Sequence, residues 1–468
     1  MSSNRRTLFL CFLVVCGAAA LLSTAPASAQ QPIPIAHWLD SYRDTVARLI
    51  KTATADDFAW RRLAEFTDTH GNRLSGSENL TRAIAWAAET MKKDGLENVR
   101  TEPVMVPRWV RGRESAEIVD PPRHTLTMLG LGGSVGTPPS GVEAEVLAVS
   151  SFDELRARAS DVTGRIVLLN AMFTTYGETV AYRTGGARTA AQLGAVAVLV
   201  RAVGPTGLRT PHTGSLTYGP GVEQIPAAAV SAEDAERVVR LIAGGRKVRI
   251  RLTMEAHFEA DVESANVVGE IRGRERPEEI VLLGGHIDSW DVGAGASDDG
   301  VGCIVTWEAA RLMAKLGIRP RRTIRIVLWT NEENGLRGAT TYAEKYAADA
   351  RNHVFALESD SGVFEPASLG FTGSTAAWSA IRDIGMMLTS IGLSDIVAGG
   401  GGADVGPIAQ AGNAPTMAYL GNPARYFQIH HTPADTVDRI APQEVSKAAA
   451  AIAVMAYVIA EMPDRLPR

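Results

Sequence analysis

Apolar strands that alternate with helices in the C-terminal half are the feature that most restricts how this chain can fold. Four strand-like runs follow residue 263, and in chain order they are EEIVLLGGH, TIRIVLWTNEE, HVFALESD and APTMAYLGN. Helical segments separate the first three runs, and a long apolar helix closes the chain. This alternation is typical of a largely parallel sheet that helices cover on both faces. We therefore predict an α/β domain with a mostly parallel mixed sheet flanked by helices.

A segment rich in short strands interrupts this α/β pattern. Between about 112 and 262 the chain has many short β-like runs, with glycine and proline residues between them. Two helical pieces, at about 179–193 and 232–243, are the exceptions. We expect a β-rich module, residues 112–262, inserted into an α/β domain that is built from residues 30–111 and 263–468.

The first 29 residues have the composition of a leader peptide. Arg5 and Arg6 precede an apolar run, and the small residues Ala27, Ser28 and Ala29 end the segment. This order is typical of a secretory signal peptide that is cleaved after Ala29. An uncleaved membrane anchor is the alternative, but the apolar run is short for a membrane span. We predict an exported protein, periplasmic or secreted, with no membrane span after cleavage; general secretion and twin-arginine export both stay open.

Charge and cysteine content restrict the partners and the covalent chemistry. The formal net charge of −5 over 468 residues argues against nucleic acid as a partner. Two of the three cysteines lie in the leader, so Cys303 alone remains after cleavage and no intrachain disulfide can form. We expect Cys303 to be a buried structural thiol rather than a nucleophile.

Acidic residues and histidines follow all four predicted strands. In open α/β sheets, functional sites form outside the carboxyl ends of the strands. The side chains that follow the four strands are His286, Asp288, Asp298 and Asp299; Glu332 and Glu333; Asp360; and His430, His431 and Asp435. A lone histidine is more often a hydrogen-bonded structural residue, and a lone acidic pair is more often a helix N-terminal charge. Agreement among four strand ends instead predicts one shared cluster.

Such a cluster indicates bound metal. Converging carboxylates repel one another, and their pKa values rise unless a cation lies between them. Imidazole and carboxylate ligands without a thiolate are typical of zinc in an open catalytic site. The number of ligands indicates two ions, which in co-catalytic sites lie about 3.5–4 Å apart and share a bridging carboxylate. Glu332 and Glu333 are adjacent, so one can bind metal while the other accepts a proton from water.

Four motifs resemble those of the co-catalytic zinc aminopeptidase and glutamate carboxypeptidase family, namely GGHIDSWDVGAGASDDGVG, TNEENGLRGA, ESDSG and HHTPADT. The N-terminal segment GNRLSGSENLTRAIAWAAETMKKDGL is also similar to that family. The insert at 112–262 resembles the family's protease-associated domain. The resemblance covers nearly the whole chain after the leader, and it implies a zinc aminopeptidase-like fold.

The resemblance also implies a role for each residue of the cluster. It implies two Zn²⁺ ions, bridged by Asp298 and by a water or hydroxide, with Glu332 as the general base. The remaining ligands that it implies are His286 and Asp360 for one ion, and Glu333 and His431 for the other.

Three aspartates and one histidine complete the implied site. Asp288 is expected to orient the ring of His286, Asp435 to lie behind His431, and Asp299 to follow Asp298, often across a cis peptide bond in this family. His431 fits the family pattern His-[Ser/Thr]-x-x-Asp, so the adjacent His430 is left without a metal. Some relatives have a tyrosine at that position, and His430 is a candidate donor to the oxyanion; a packing histidine is the alternative.

The resemblance implies hydrolysis of short peptides, especially dipeptides with free termini. We therefore predict a zinc-dependent exopeptidase or dipeptidase that has a site for the substrate's α-amine or carboxylate. The glycine-rich loop 398–407 is a candidate for that site, with Asp404 as the partner of the amine, and a flexible surface loop is the alternative. Aminopeptidase, carboxypeptidase and strict dipeptidase action stay open, and so does the oligomeric state, a homodimer included.

Two other functions remain to be weighed. Related folds deacylate amino acids or cyclise N-terminal glutamine, and the insert favours the peptidase branch only by analogy. Other relatives have lost their metals and act as binding proteins. Here every ligand position is filled, which argues against a non-catalytic relative.

Overall fold

The predicted strands of the C-terminal half form the centre of a mixed eight-stranded sheet in a computed structural model, which describes residues 36–468 except Pro121. In spatial order the strands are Glu97–Val106, Val262–Ile271, Arg322–Trp329, Arg276–His286, His353–Glu358, Thr416–Leu420, Ser368–Thr372 and Ile396–Ala398. Parallel pairings join the third strand of this order to the sixth. The four predicted strands therefore end at one edge, and the predicted fold class is confirmed. The predicted cleavage after Ala29 lies outside the described residues.

Helices cover both faces of this sheet because successive strand residues point to opposite sides. Val281 and Leu283 belong to one hydrophobic core, together with the helix Pro442–Glu461. Leu282, between them, belongs to a second core that includes Tyr342. Burial on both faces explains why the central strands are continuous apolar runs rather than alternating ones.

The closing helix, Pro442–Glu461, is the one helix among the described residues that is long and apolar enough to cross a membrane. In this protein 89% of its apolar window is buried inside the fold. It packs against the helix Val301–Leu316, which is also largely buried. Its apolar character is therefore explained by its central place in the core.

Eleven further helices belong to the described part of the chain in addition to Pro442–Glu461. In the α/β domain they are Arg43–Ala53, Phe58–His70, Glu78–Lys93, Val301–Leu316, Arg337–Lys345, Thr375–Met386, Gly406–Gly412 and Pro423–Ile429. In the insert they are Phe152–Ala157, Tyr176–Ala191 and Ala232–Ala243. Short 3-10 turns occupy His37–Tyr42, Ala159–Asp161, Ala347–Asn352, Thr389–Ile391 and Val437–Arg439, and Ala296–Gly300 forms a π-turn.

The insert forms a second eight-stranded sheet with its own hydrophobic cores. In spatial order its strands are His124–Leu126, Glu114–Ile118, Arg249–Met254, Val142–Val149, Ile166–Leu169, Ala197–Arg201, Ala227–Val230 and Met128–Gly130. The prediction of a separate β-rich module inside the α/β domain is therefore confirmed. Three residues of the α/β domain, Leu74, Trp109 and Trp290, are part of an insert core.

The chain enters and leaves the insert at adjacent points. Trp109–Val110 pairs in antiparallel fashion with His257–Phe258, and the two form a small separate sheet. This junction supports our proposal that the insert extends from about residue 112 to about residue 262.

Candidate metal centre

The strand Arg276–His286 places its last residue at the centre of the predicted cluster. His286 Nε2 makes no hydrogen bond, although it lies 3.2 Å from Asp298 Oδ1 and 3.5 Å from Asp360 Oδ1. Asp360 follows the neighbouring parallel strand, so both side chains reach the same edge of the sheet. A buried imidazole nitrogen that faces two carboxylates without a hydrogen bond has the arrangement of a metal ligand.

A second group of ligand atoms lies on the other side of Asp298. His431 Nε2 is 3.1 Å from Asp298 Oδ2 and 3.1 Å from Glu333 Oε2. Ligand atoms of His286, Asp298 and Glu333 also lie within 4.8 Å of one another. Asp298 thus directs one oxygen at each group, which is the arrangement that a bridging carboxylate requires. The chemistry of these donors fits zinc.

Burial and crowding shift the protonation of this cluster. Burial alone would lower the pKa of His286, but the carboxylates of Asp298 and Asp360 raise it well above the usual value. Burial, together with the charge of Asp298, raises the pKa of Glu333 to about 7. The raised pKa of Glu333 shows that its negative charge is unfavourable among the neighbouring carboxylates. A bound cation would relieve this repulsion, so the electrostatics of the cluster favour a metal site.

Glu332 occupies a different position from the ligands. Its Oε2 atom is 4.0 Å from His286 Nε2, and its side chain remains 21% exposed to the cavity. Burial and the negative charges of Asp360 and Glu333 raise the pKa of Glu332 well above its usual value. A carboxylate close to the cluster, open to the cavity and ready to accept a proton has the properties of a general base.

Asp288 and Asp299 hold the site through backbone groups. The Asp288 carboxylate accepts hydrogen bonds from the backbone N–H groups of Glu332 (3.1 Å) and Glu333 (3.3 Å). The ring of His286 donates from Nδ1 to the Asp288 backbone carbonyl at 3.0 Å, so Asp288 contacts this ring through its main chain. Asp299 accepts from the backbone N–H of His286, and the Asp298–Asp299 peptide bond is cis, as the resemblance implied.

The structure differs from the sequence prediction at Asp435. Its carboxylate accepts hydrogen bonds from the backbone N–H groups of Ser297 (2.7 Å) and Asp298 (3.1 Å), so it supports Asp298. The Nδ1 of His431 instead donates to the backbone carbonyl of Thr213, at 3.2 Å. His431 has a φ of 59°, in the left-handed region, and its ring contacts the insert through this hydrogen bond.

His430 lies against the ring of His431, with the centroids 3.5 Å apart. Its Nε2 atom is 3.5 Å from Asp298 Oδ2, and its Nδ1 is buried without a hydrogen-bond partner. Tyr426, four residues earlier, lines the same cavity, and burial raises the pKa of its phenol well above the usual value. Tyr426 was not predicted from the sequence, although its i, i+4 spacing from His430 at the end of the helix Pro423–Ile429 was available as a signal.

Asp404 does not lie where a partner of the substrate amine would have to be. Its carboxylate is fully buried and has no hydrogen-bond partner, and its backbone N–H donates to Glu358 Oε2. A Cβ atom on Gly402 would lie 2.1 Å from the Glu358 carboxyl carbon, so the glycine-rich loop packs tightly onto the sheet. Asp404 does not line the cavity that contains the ligands, and its placement argues against contact with a substrate amine.

The ligands open onto a cavity of about 610 Å³ that both domains line. The insert contributes Tyr176, Arg183 and residues 215–217. Arg183 is only 4% exposed, and none of its hydrogen-bond partners is a carboxylate. Its Nε atom has no partner. Arg183 was not predicted from the sequence, because no motif marks an isolated arginine on an insert helix.

The loop that follows the first predicted strand also connects the two domains. The Trp290 ring lies in an insert core, and a Cβ atom on Gly132 would be 1.9 Å from it. Asp291 forms an ion pair with Arg111, whose Nε donates at 2.7 Å. Trp290 thus anchors the ligand loop to the insert directly, and Asp291 does so through Arg111 at the domain junction, which also donates to the Gly130 carbonyl of the insert.

Comparisons with known proteins agree with this geometry. Residues 266–456 match the description of Peptidase family M28, and residues 132–238 match that of the PA domain. Carboxypeptidase Q of Bos taurus is 43% identical over 434 residues, which are 93% of this chain and 92% of that protein. Carboxypeptidase Q of Homo sapiens is 44% identical over 414 residues, which are 88% of each chain.

Solved structures of peptidases are also similar to this protein. A peptidase M28 precursor from Shewanella amazonensis is similar with a TM-score of 0.87 and 33% identity, over 92% of this chain and 99% of that chain. A zinc aminopeptidase from Bacillus subtilis shares the fold, with a TM-score of 0.66 and 20% identity over 87% of this chain and 96% of that chain.

Proposed function

The chain belongs to peptidase family M28 and is a metallopeptidase, and we propose that it is an exported, zinc-dependent exopeptidase or dipeptidase that acts on short peptides. The observation that carries this proposal is Asp298, which directs one carboxylate oxygen at His286 and the other at His431. Two groups of ligands that share one carboxylate fit a pair of divalent ions better than a single ion.

In this proposal His286 and Asp360 would hold one ion, Glu333 and His431 would hold the other, and Asp298 would be a ligand of both. Zinc held by these residues would polarise the scissile carbonyl and lower the pKa of a bound water molecule. The carboxylates of Asp288 and Asp435 hold the ligand loops in position, because they accept hydrogen bonds from the backbone N–H groups of Glu333 and Asp298.

Glu332 is the proposed general base. Its raised pKa and its exposure to the cavity suit a group that accepts a proton from the attacking water and passes it to the leaving amine. The backbone N–H of Glu332 is fixed by Asp288, which limits how far the side chain can move from the cluster.

Two donors are available for the developing oxyanion. Burial keeps His430 neutral by lowering its pKa well below the usual value, so that its ring carries one N–H. Burial keeps the hydroxyl of Tyr426 protonated. Both side chains line the cavity beside Asp298, and either can donate a hydrogen bond to charge that develops on the substrate oxygen.

Arg183 supports recognition of a free carboxylate. A guanidinium group that is buried without an acidic partner is costly unless an anion neutralises it. Among the described residues, the cavity lining has no acidic residue for the substrate amine apart from the four carboxylates of the cluster. The cavity therefore offers a cation for the substrate's α-carboxylate but no separate anion for its α-amine. These charges favour dipeptidase or carboxypeptidase action, in which the substrate's α-carboxylate contacts Arg183.

A substrate panel with and without a chelator tests this function. Dipeptides, C-terminally amidated dipeptides, N-acyl amino acids and peptides with N-terminal glutamine are incubated with purified protein, and the products are measured by mass spectrometry. We expect hydrolysis of free dipeptides, loss of turnover with chelator and recovery with zinc. Turnover of N-acyl amino acids alone would indicate a deacylase, cyclised glutamine would indicate a cyclase, and chelator-resistant hydrolysis would contradict the metal-dependent mechanism.

A further inference from the structure

The insert holds the two adjacent histidines of the site directly. His212 and Thr213 run beside His430 and His431, and three hydrogen bonds join the two segments. The Thr213 N–H donates to the His431 carbonyl at 3.0 Å, and the ring of His431 donates from Nδ1 to the Thr213 carbonyl at 3.2 Å. The ring of His212 donates from Nδ1 to the His430 carbonyl at 2.7 Å. The orientation of one ligand ring therefore depends on a backbone segment of the other domain.

This insert segment is itself firmly held. His212 is 1% exposed, and its ring packs onto Gly204, where a Cβ atom would lie 2.4 Å from it. The Thr213 hydroxyl donates to the Gly130 carbonyl at 2.7 Å, and Arg183 donates to the Thr213 carbonyl at 3.3 Å. The acceptor that orients His431 is thus fixed by contacts inside the insert.

Glu333 has a second connection to the insert. The backbone N–H of Trp290 donates to Glu333 Oε1 at 3.2 Å. The indole of the same residue is buried in an insert core against Gly132. A shift of the insert would therefore move the donor that holds Glu333, as well as the acceptor that holds His431.

His286 is held from the other side of the site. Its ring is oriented by the Asp288 carbonyl, and its backbone N–H donates to Asp299. Both partners belong to the α/β domain, as does Asp435, which supports the shared ligand Asp298. The insert therefore supports His431 and Glu333, whereas the groups that hold His286 belong to the α/β domain.

From this asymmetry we propose that the inserted domain controls the affinity of one of the two metal positions, the one formed by Asp298, Glu333 and His431, and leaves the position at His286 and Asp360 unaffected. The inference rests on the two-ion site proposed above. Residues that orient metal ligands by hydrogen bonds typically change metal affinity by about 10–100-fold when they are replaced. The insert in this account is a structural component of the metal centre as well as a wall of the cavity.

Zinc titration of His212 variants tests the proposal. His212→Phe keeps the volume of the ring but removes its N–H donor, and His212→Asn restores an N–H group close to the position of Nδ1. His124→Phe is the matched control, because His124 is another insert histidine whose ring contacts Asp234 instead. Each protein is stripped with chelator and titrated with zinc, and bound zinc per chain is measured by mass spectrometry, with thermal unfolding as the check on folding.

We expect two zinc ions per chain in the wild type, in His124→Phe and in His212→Asn. We expect His212→Phe to keep one tight ion and to bind the second about 10–100-fold more weakly. Equal loss at both positions, or wild-type binding in His212→Phe, overturns the inference while the two-ion function stands. A wild type that binds one ion overturns the proposed two-ion function, and this inference with it.

A second variant covers the case in which His212→Phe does not fold. Thr213→Val keeps the backbone groups and the side-chain shape but removes the hydroxyl that anchors the segment to Gly130. The same selective weakening of one ion is expected, and unchanged affinity at both positions overturns the inference.

Discussion

At the scale of single residues, backbone carbonyls orient the two histidine ligands. His286 donates from Nδ1 to the Asp288 carbonyl, and His431 donates from Nδ1 to the Thr213 carbonyl. The resemblance implied that Asp288 orients the ring of His286 and that Asp435 lies behind His431, without indicating which atoms do so. Every residue type provides a backbone carbonyl, so the sequence does not mark which one will be used. Ligands are predictable because their chemistry restricts residue type, whereas these supporting acceptors are not.

Arg183 provides a test of substrate recognition at this scale. Arg183→Met keeps much of the side-chain volume but removes the charge. Charge-assisted hydrogen bonds contribute about 1.5–3 kcal/mol, so kcat/KM for free dipeptides should fall by about 10–100-fold. Arg183 also donates to the Thr213 carbonyl that orients His431, so the diagnostic result is a loss for free dipeptides that clearly exceeds the loss for the matching C-terminal amides.

The control is Arg188→Met, an exposed arginine on the same helix, for which both substrates should retain wild-type kinetics. Equal losses for the free and the amidated dipeptides in Arg183→Met would show that Arg183 does not recognise the substrate carboxylate.

At the scale of elements, the position of the strand ends at one edge of the sheet was predictable from the sequence. The packing of the loops that follow the strands was only partly predictable. Four apolar runs with polar ends indicated a parallel ladder, and parallel strands must end at one edge. The glycine-rich loop 398–407 offered no periodicity, and its tight packing on Glu358 became visible only in three dimensions. Trp290 and Asp291 were likewise unassigned, because their partners Gly132 and Arg111 are distant in sequence.

Gly132→Ala tests the connection between the ligand loop and the insert. The new methyl group would lie 1.9 Å from the Trp290 ring, so the ring must move. Overpacking of this kind costs about 1–3 kcal/mol, and we expect a lower free energy of unfolding in urea together with reduced turnover. Gly177→Ala, at a helical position of the insert with open space around it, should be neutral or stabilising. Unchanged stability and turnover in Gly132→Ala would mean that Trp290 does not couple the two domains.

At the scale of the whole molecule, the cavity exists only where the two domains meet. Short β-like runs begin near residue 112, and this change of pattern predicted an insert. Composition alone does not indicate which surface of the insert faces the cluster. Tyr176, Arg183 and residues 215–217 reach the ligands from more than 60 residues before the first metal ligand in the chain. The proposed metal site was predictable from the α/β domain, whereas the proposed contact with the substrate carboxylate depends on how the insert packs against that domain.

The measurement that tests the account most directly is the zinc content and dipeptide turnover of Glu332→Gln. Glu332 is proposed to move a proton and not to bind zinc, so the variant should hold two zinc ions per chain while turnover falls by about 10²–10⁴-fold. Glu344→Gln, an exposed glutamate on the helix Arg337–Lys345, should match the wild type in both respects. Near wild-type turnover in Glu332→Gln, or loss of one zinc ion, would contradict the assignment of Glu332 as the general base of a two-zinc site.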